Sequence, residues 1–325
     1  MSSASRRPVL EFFRGVFNRP ASARSALPRS LVKTAIERAV DGTDPRVRIQ
    51  SGYAKALRQP AMHAVEYVIA LVDGFPPPIE ASKKSLADDP AFAALVYSQE
   101  RLDTIVDRDP ALREFRAANP TCTDAVTALL LARKTQKHGF GHAQVGDQVL
   151  SDVPRTTISF DQHRLAEPAA SEQETRRLLA RRAFDHLLWV ALMQITERKE
   201  QRDKLGKRKA LLRSKVEILR RSGGFMHASE APGQAQLHTQ LADVDAQLSA
   251  LGAVEDTLAD NLAIVAAVLA DAEHHLWCED TVLYLDKLYV VHDKPGPSAP
   301  PTVFKEVHNS EGQALSVMLI SIPSQ

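Results

Sequence analysis

The sequence predicts an α+β protein, mainly α, with an N-terminal helical bundle, a long antiparallel two-helix coiled-coil arm and a small antiparallel β-sheet. Three observations lead to this class. One segment near the C-terminal end carries an unbroken heptad pattern, proline-punctuated segments in the first half carry apolar residues at helical spacing, and two separate stretches are rich in β-branched and aromatic residues. The sheet is expected from segments before and after the arm.

We divide the 325 residues into five parts. In chain order these are a basic disordered tail (1–28), a helical domain (29–137), a β-hairpin and strand (138–170), the coiled-coil arm (171–278) and C-terminal strands that complete the sheet (279–325).

The heptad pattern runs from Leu237 to Leu276. Alternating steps of four and three residues pass through twelve positions, of which eleven are apolar and one is Glu255. Such a pattern forms one apolar seam along a helix, and the seam is stable only against another helix. The helix expected over 171–221 carries a similar pattern and is followed by a short glycine-containing loop. We therefore expect the two helices to pair antiparallel.

The loop fixes the register of this pairing. Placing Leu219 opposite Leu237 brings Arg202 opposite Glu255. This polar layer has two interpretations: a buried pair that fixes the register, or a half-solvated layer in which Arg202 extends its charged end to water. We favour the second, because a two-helix seam is narrow and long basic side chains escape it easily.

The helical domain is predicted from five segments that begin or end near prolines. Two of these prolines, Pro90 after Asp89 and Pro110 after Asp109, follow a capping residue and fall in a first helical turn, where the missing N–H is not needed. The segments are 30–41, 61–73, 90–106, 110–118 and 123–137.

The strands are predicted from a change of periodicity after residue 137. A hairpin is expected around Gly146 and Asp147, followed by a strand at 156–160. Three further strands are expected in the C-terminal part, at 282–291, 302–307 and 315–322. A short hairpin is unstable alone, so the two groups gain most by joining one antiparallel sheet.

The first 33 residues hold seven arginines or lysines and a single acid. Residues 8–18 place apolar side chains three and four apart, as in an amphipathic helix that lies on an anionic membrane surface. We prefer a disordered tail, because about eleven residues form only a marginal helix in water.

Composition excludes some classes but names no partner. The net charge is +1, there are two cysteines, and no apolar leader or membrane-spanning stretch is evident. The expected location is therefore the cytoplasm, with no transmembrane segment.

Chemical motifs are scarce. His274 and Cys278 lie four apart in an expected helix and are candidate metal ligands, but two ligands do not make a site. His138 and His142 have the same spacing, although the glycines between them favour a loop. Phosphate-binding loops, GxSxG, HExxH and CxxC are absent from the sequence. We therefore expect no cofactor, assign no catalytic residue and lean against an enzyme.

Three functions remain open. The first is a cytoplasmic interaction or scaffold protein built around the arm, with an unknown protein partner or self-association. The second is a nucleic-acid-binding protein that uses the basic helix 197–221, in which eleven cations outnumber four acids. The third is an enzyme with an unrecognised site between the helical domain and the sheet. We favour the first, because the stretch 222–286 contains acids but no lysine or arginine and would offset the charge of that helix.

Overall fold

The structure is a computed structural model that describes residues 27–120, 124–145, 148–222, 231–251 and 257–323. The α+β class with helix in the majority is confirmed. Residues 1–26 of the basic tail, which include the segment 8–18, lie outside the described residues. Among the described helices, none combines the length and the apolar composition that crossing a membrane requires.

The chain separates into two compact units. The first, which we call the sheet unit, contains Val65–Phe184 and the residues from Ala272 onward. The second, which we call the arm unit, contains Pro28–Ala64 and Asp185–Asp271.

Up to residue 118 the chain is mainly helical. Its helices are α1 (Arg29–Gly42), a 3-10 helix (Pro45–Ile49), α2 (Tyr53–Asp73), α3 (Lys83–Asp88), α4 (Pro90–Val96), α5 (Gln99–Arg108) and α6 (Pro110–Ala118). The predicted helix 90–106 is interrupted, because Tyr97 adopts a φ of 70° and Ser98 begins α5 as its N-cap. Asp89 and Asp109 cap α4 and α6, and each is followed by proline in the first turn.

The sheet is larger than the small sheet predicted. Its strands are β1 (Ile79–Glu80), β2 (Val126–Val145), β3 (Gln148–Ala169), β4 (Leu276–Leu285), β5 (Val290–His292), β6 (Pro301–Asn309) and β7 (Ala314–Ile322). The strand order is β1-β7-β2-β3-β5-β4-β6. Because β6 also pairs with β7, the sheet closes on itself. The pairing of β1 with β7 is parallel, so the sheet is mixed rather than wholly antiparallel.

The helix expected over 123–137 is wrong, since β2 begins at Val126. Residues 126–130 are all buried, and from Val126 to Ala132 the strand lies between β3 and β7. A strand buried on both faces reads as a continuous apolar run, and such a run cannot be told from a buried helix by periodicity.

The core of the sheet unit lies inside the closed sheet and under the short helices. Its largest buried side chains include Phe92, Phe160 and Phe304, with the rings of Phe160 and Phe304 5.1 Å apart. The carboxylate of Asp109 joins helix to sheet, because it accepts hydrogen bonds from the N–H groups of Leu112 (3.1 Å) and Leu165 (2.8 Å).

The later helices are α7 (Glu172–Ser222), α8 (Ala231–Ala250), α9 (Thr257–Ala270) and α10 (Ala272–His275). The single helix expected through Leu276 is therefore wrong in extent. Leu276 begins β4 and pairs with Asn309, because strand pairing of the following residues overrides the heptad pattern. The segment 252–256, which contains Glu255, lies outside the described residues.

Replacing Asp109 by alanine tests how far the sheet unit depends on this carboxylate. Removing it takes away a helix cap and leaves the buried Leu165 N–H without its acceptor, so the free energy of unfolding should fall by about 2 to 4 kcal/mol. Asp89→Ala is the matched control, because Asp89 caps α4 through Phe92 and its loss should cost about 1 kcal/mol. Urea unfolding followed by circular dichroism measures both, and equal losses would contradict the role of Asp109.

Candidate functional site

The arm unit brings α7 beside α8 and α9 in opposite directions. Lys209 of α7 forms an ion pair with Asp245 of α8, and Arg198 forms one with Asp260 of α9 at 3.0 Å. As the residue number falls along α7, it rises along the return helices, so the pairing is antiparallel. The register that places Leu219 opposite Leu237 also predicts that Leu212 faces Val244, and both of these residues are buried. Coiled-coil packing along the whole arm stays a prediction.

Two arginines of α7 hold the end of α8. Arg198 and Arg202 both donate to the carbonyl oxygen of Leu251, at 3.0 and 2.7 Å. Arg202 also donates to Oγ1 of Thr257 at the start of α9. The last carbonyl groups of a helix carry partial negative charge and lack partners within the helix, so cations are favourable there. Because Glu255 is not among the described residues, the predicted Arg202–Glu255 layer stays a prediction.

A groove lies between α1 and α7 within the arm unit. It has a volume of about 370 Å³, and its lining residues are Arg38, Asp41, Gly42, Asp185, Leu188, Trp189 and Leu192. Gly42 allows the two helices to approach, since a Cβ atom there would lie 3.1 Å from Leu188 Cδ1.

The groove combines a fixed charge pair with exposed apolar side chains. The guanidinium of Arg38 donates two hydrogen bonds of 2.5 Å to the carboxylate of Asp185. Trp189 is 41% exposed and its ring stacks on His186. Met193, which is 47% exposed, lies four residues further along α7 and so on the same face. We call Arg38, Trp189, Leu192 and Met193 the groove surface.

A second arginine network holds the end of α1. Arg48 donates to the carboxylates of Asp41 and Glu37, and Tyr53 donates to Glu37. These hydrogen bonds raise the pKa of Arg48, Asp41 having the larger effect, and the bond to Glu37 raises the pKa of Tyr53. The network fixes the helix that carries Arg38, without taking part in the groove's apolar surface.

The cations proposed for nucleic-acid binding differ in their surroundings. Lys209 is paired with Asp245, and Lys204 lies 3.9 Å from Glu200. The side chains of Lys207, Arg208 and Lys215 are exposed along α7.

The two candidate metal ligands do not share a helical face, as their spacing suggested. His274 is in α10, whereas Cys278 is in β4, because the helix ends at His275. Burial raises the pKa of the Cys278 thiol to about 11, so at neutral pH it is a thiol and a poor ligand. In the part of the chain that the structure describes, no group of three potential ligands comes together.

His138 and His163 have separate hydrogen-bond partners. Nδ1 of His138 lies 3.0 Å from Thr156 Oγ1 across the β2–β3 hairpin, and Nε2 of His163 lies 2.7 Å from the Leu95 carbonyl oxygen. Burial lowers the pKa of His163. A neutral His163 therefore serves as a donor to the backbone at neutral pH.

Sequence reasoning missed a buried polar cluster inside the sheet unit. The carboxylate of Glu306 (β6) accepts hydrogen bonds from Thr281 (β4) at 2.9 Å and Ser316 (β7) at 3.2 Å, and Lys134 (β2) lies 2.6 Å away. Nε2 of His308 is 3.8 Å from the same carboxylate. These residues come from four strands with no shared motif. The only usable signal was the presence of two charged residues, Lys305 and Glu306, within the predicted strand 302–307.

No family model, curated protein or solved structure matches this chain. The residues themselves therefore carry the functional argument.

Replacing Arg198 by methionine tests the junction between α8 and α9. The change removes hydrogen bonds to Leu251 and Asp260 while keeping most of the apolar stem, and since the pair is partly exposed the free energy of unfolding should fall by about 1 to 2 kcal/mol. Arg208→Met is the control, because Arg208 is exposed on the same helix and its loss should change stability by less than about 0.5 kcal/mol. Hydrogen exchange should also quicken in α8 and α9 for the first variant alone.

The thiol of Cys278 provides a pH test. In a Cys122→Ser chain, its rate of alkylation by iodoacetamide should be slow at pH 8 and still rise steeply above pH 9.5. An ordinary thiol, with a pKa of about 8.5, has reached a plateau there. The unfolded chain in urea is the control and should show the ordinary profile. A folded-state plateau below pH 9 would contradict the raised pKa.

Proposed function

We propose that this chain is a protein-interaction protein of the cytoplasm, in which the groove surface of the arm unit binds another protein. The observation that carries the proposal is the exposure of Trp189 and Met193 beside Arg38 and a groove of about 370 Å³. Tryptophan, methionine and arginine are enriched in protein interfaces, and tryptophan and arginine among the residues that dominate binding energy.

The Arg38–Asp185 pair supports binding of a protein more than of a simple anion. Asp185 already neutralises Arg38 and holds its guanidinium in one orientation. A fixed, neutralised pair gives little attraction to phosphate, but it presents oriented donors and acceptors at the rim of an apolar patch. An interface with an apolar centre and a polar rim has this composition.

The groove surface lies on α1 and α7, and other contacts of the arm unit fix both helices in place. Leu188 and Ala191 of α7 are buried, and Arg48 fixes the end of α1 through Asp41. A surface that is already in place loses little conformational entropy when a partner binds. We therefore expect α1 and α7 to bind the partner without a change in their own structure.

Nucleic-acid binding is the second candidate. The exposed Lys207, Arg208 and Lys215 favour it, because cations along one helix can neutralise several phosphates. Against it, Lys209 and Arg198 are paired with acids of the return helices, and Trp189 lies away from these cations by several turns of α7.

Quantitative co-purification tests the first candidate with three tagged full-length chains: the unchanged protein, Trp189→Ala/Met193→Ala, and Leu288→Ala. Leu288 is 73% exposed in the sheet unit and serves as the matched apolar control. A true partner should be retained by the unchanged chain and the control and lost from the groove variant. With that partner purified, Trp189→Ala should raise Kd about thirtyfold, the effect of about 2 kcal/mol at a dominant interface residue. Identical partners at equal levels on all three chains would contradict the proposal.

A salt titration with a duplex DNA and a single-stranded RNA tests the second candidate. Binding by the unchanged chain that weakens steeply with salt would support this candidate. For duplex DNA, the slope of the logarithm of the binding constant against the logarithm of the salt concentration should fall in magnitude by about 3 in the triple variant Lys207→Gln/Arg208→Gln/Lys215→Gln. Absence of binding at low salt would exclude it.

A further inference from the structure

The β2–β3 hairpin extends well past the rest of the sheet. Pairing between β2 and β7 ends at Ala132 and Ser316, and β5 pairs with β3 only at Thr156 and Thr157. Among the described residues, β3 is the only strand that pairs with β2 from Thr135 to Val145. We call this stretch the ribbon edge; at about 3.4 Å per residue it is about 35 Å long.

Alternate residues of the ribbon edge point their backbone N–H and C=O groups to the side of β2 opposite β3. Ile158 and Phe160 donate their N–H groups to Tyr289 and Tyr97, on the side of β3 away from β2. In an antiparallel pair of strands, two residues that lie opposite each other point their backbone N–H and C=O groups either both toward the other strand or both away from it. Gln136 is opposite Ile158, and His138 and Phe140 follow in the same alternation. Their N–H and C=O groups therefore point to the open side.

The other side of the hairpin is closed to such pairing. Pro154, opposite Phe140, has no N–H to offer on the outer side of β3. Asp152 has a φ of 61° at an irregularity in the pairing, where β3 carries one residue more than β2. Prolines and bulges are two of the ways in which proteins protect exposed strand edges. The ribbon edge of β2 carries neither.

The sequence of the ribbon edge is almost symmetric about Phe140. From residue 136 to 144 it reads Gln-Lys-His-Gly-Phe-Gly-His-Ala-Gln, so only positions 137 and 143 differ. Two antiparallel copies centred on Phe140 would place equal residues opposite each other. An interface around a two-fold axis requires such self-complementarity.

We propose that the ribbon edge is a self-association site, where β2 pairs antiparallel with β2 of a second copy of this chain, centred on Phe140. Phe140 then pairs with the partner's Phe140, His138 with the partner's His142, and Gln136 with the partner's Gln144. Gln136, His138 and Phe140 have outward-facing backbone groups. The same alternation along β2 extends to His142 and Gln144, because the extra residue of the irregularity lies in β3. Each hydrogen-bonded pair of this kind exchanges two hydrogen bonds. The two hairpins become one four-stranded sheet.

Charge and exposure agree with this register. Lys137 is opposite the partner's Ala143, so the lysines of the two copies are not placed against each other, as they would be in a register centred on residue 137. The ring of Phe140, which is 77% exposed, meets the same ring of the partner. Aromatic pairs across neighbouring strands stabilise a sheet. This proposal concerns the sheet unit and does not depend on the groove surface.

Cysteine cross-linking tests the register in full-length chains that carry Cys122→Ala and Cys278→Ala. In Phe140→Cys the two Cα atoms would be about 5.5 Å apart, within reach of a disulfide. Lys137→Cys is the matched control, because residues 137 of the two copies would be about 20 Å apart, six residues along the strands. Mild oxidation at low protein concentration should give a cross-linked dimer for Phe140→Cys and none for Lys137→Cys. Equal cross-linking of both, or of neither, would overturn the proposal.

Sedimentation velocity of Phe140→Pro gives a second measurement. The hairpin tolerates proline at a position where the N–H faces outward. In the dimer, however, both copies lose the N–H of residue 140, so the two central hydrogen bonds between the copies are lost. The unchanged chain should dimerise with concentration, and Phe140→Pro should raise the dimer dissociation constant at least tenfold with an unchanged circular dichroism spectrum. A monomeric unchanged chain, or a dimer that Phe140→Pro leaves intact, would overturn the proposal.

Discussion

The carboxylate of Glu306 is the point on which the closed sheet depends. Its side chain is 5% exposed, and its partners come from β2, β4 and β7. A buried charge that loses its partner costs several kcal/mol, so β6 is stable in this position only if all four strands are in place. Closure between β6 and β7 sets Ser316 opposite Glu306 in the register. The same interaction that satisfies the charge therefore also favours a closed sheet over an open one.

Local signals in the sequence were enough for much of the helical fold. Asp89 and Asp109 before prolines located α4 and α6. The glycines after residue 221 predicted a reversal of the chain, and the ion pairs of α7 with α8 and α9 run antiparallel. The antiparallel direction of α7 and its return helices followed from that reversal. What failed was the assignment of 123–137, where consecutive residues 126–130 are buried on both faces of the strand and the alternation that identifies a strand is lost. Sequence periodicity reports one buried face and carries no information when both faces are buried.

The candidate sites were harder to predict for a related reason. Arg38 and Asp185 are 147 residues apart, and Lys134 and Glu306 are 172 residues apart, so neither pair has a sequence spacing to recognise. His274 and Cys278 did have a recognisable spacing, but it assumed a helix that ends at His275. The near-symmetric run about Phe140 was visible in the sequence. The run predicts pairing between two copies only once the pairing of β2 with β3 shows which backbone groups of β2 face outward.

The two proposed surfaces would recognise their partners by different physics. The groove surface offers side chains in a fixed arrangement, so its affinity depends on a complementary shape and on desolvating Trp189 and Met193. The ribbon edge offers mainly backbone groups, for which any strand is a partner, and selectivity has to come from register and charge. Since they lie in different compact units, a change at one need not disturb the other. A dimer joined at the ribbon edge would carry two groove surfaces, and a partner with two matching sites would bind it more tightly than either groove alone.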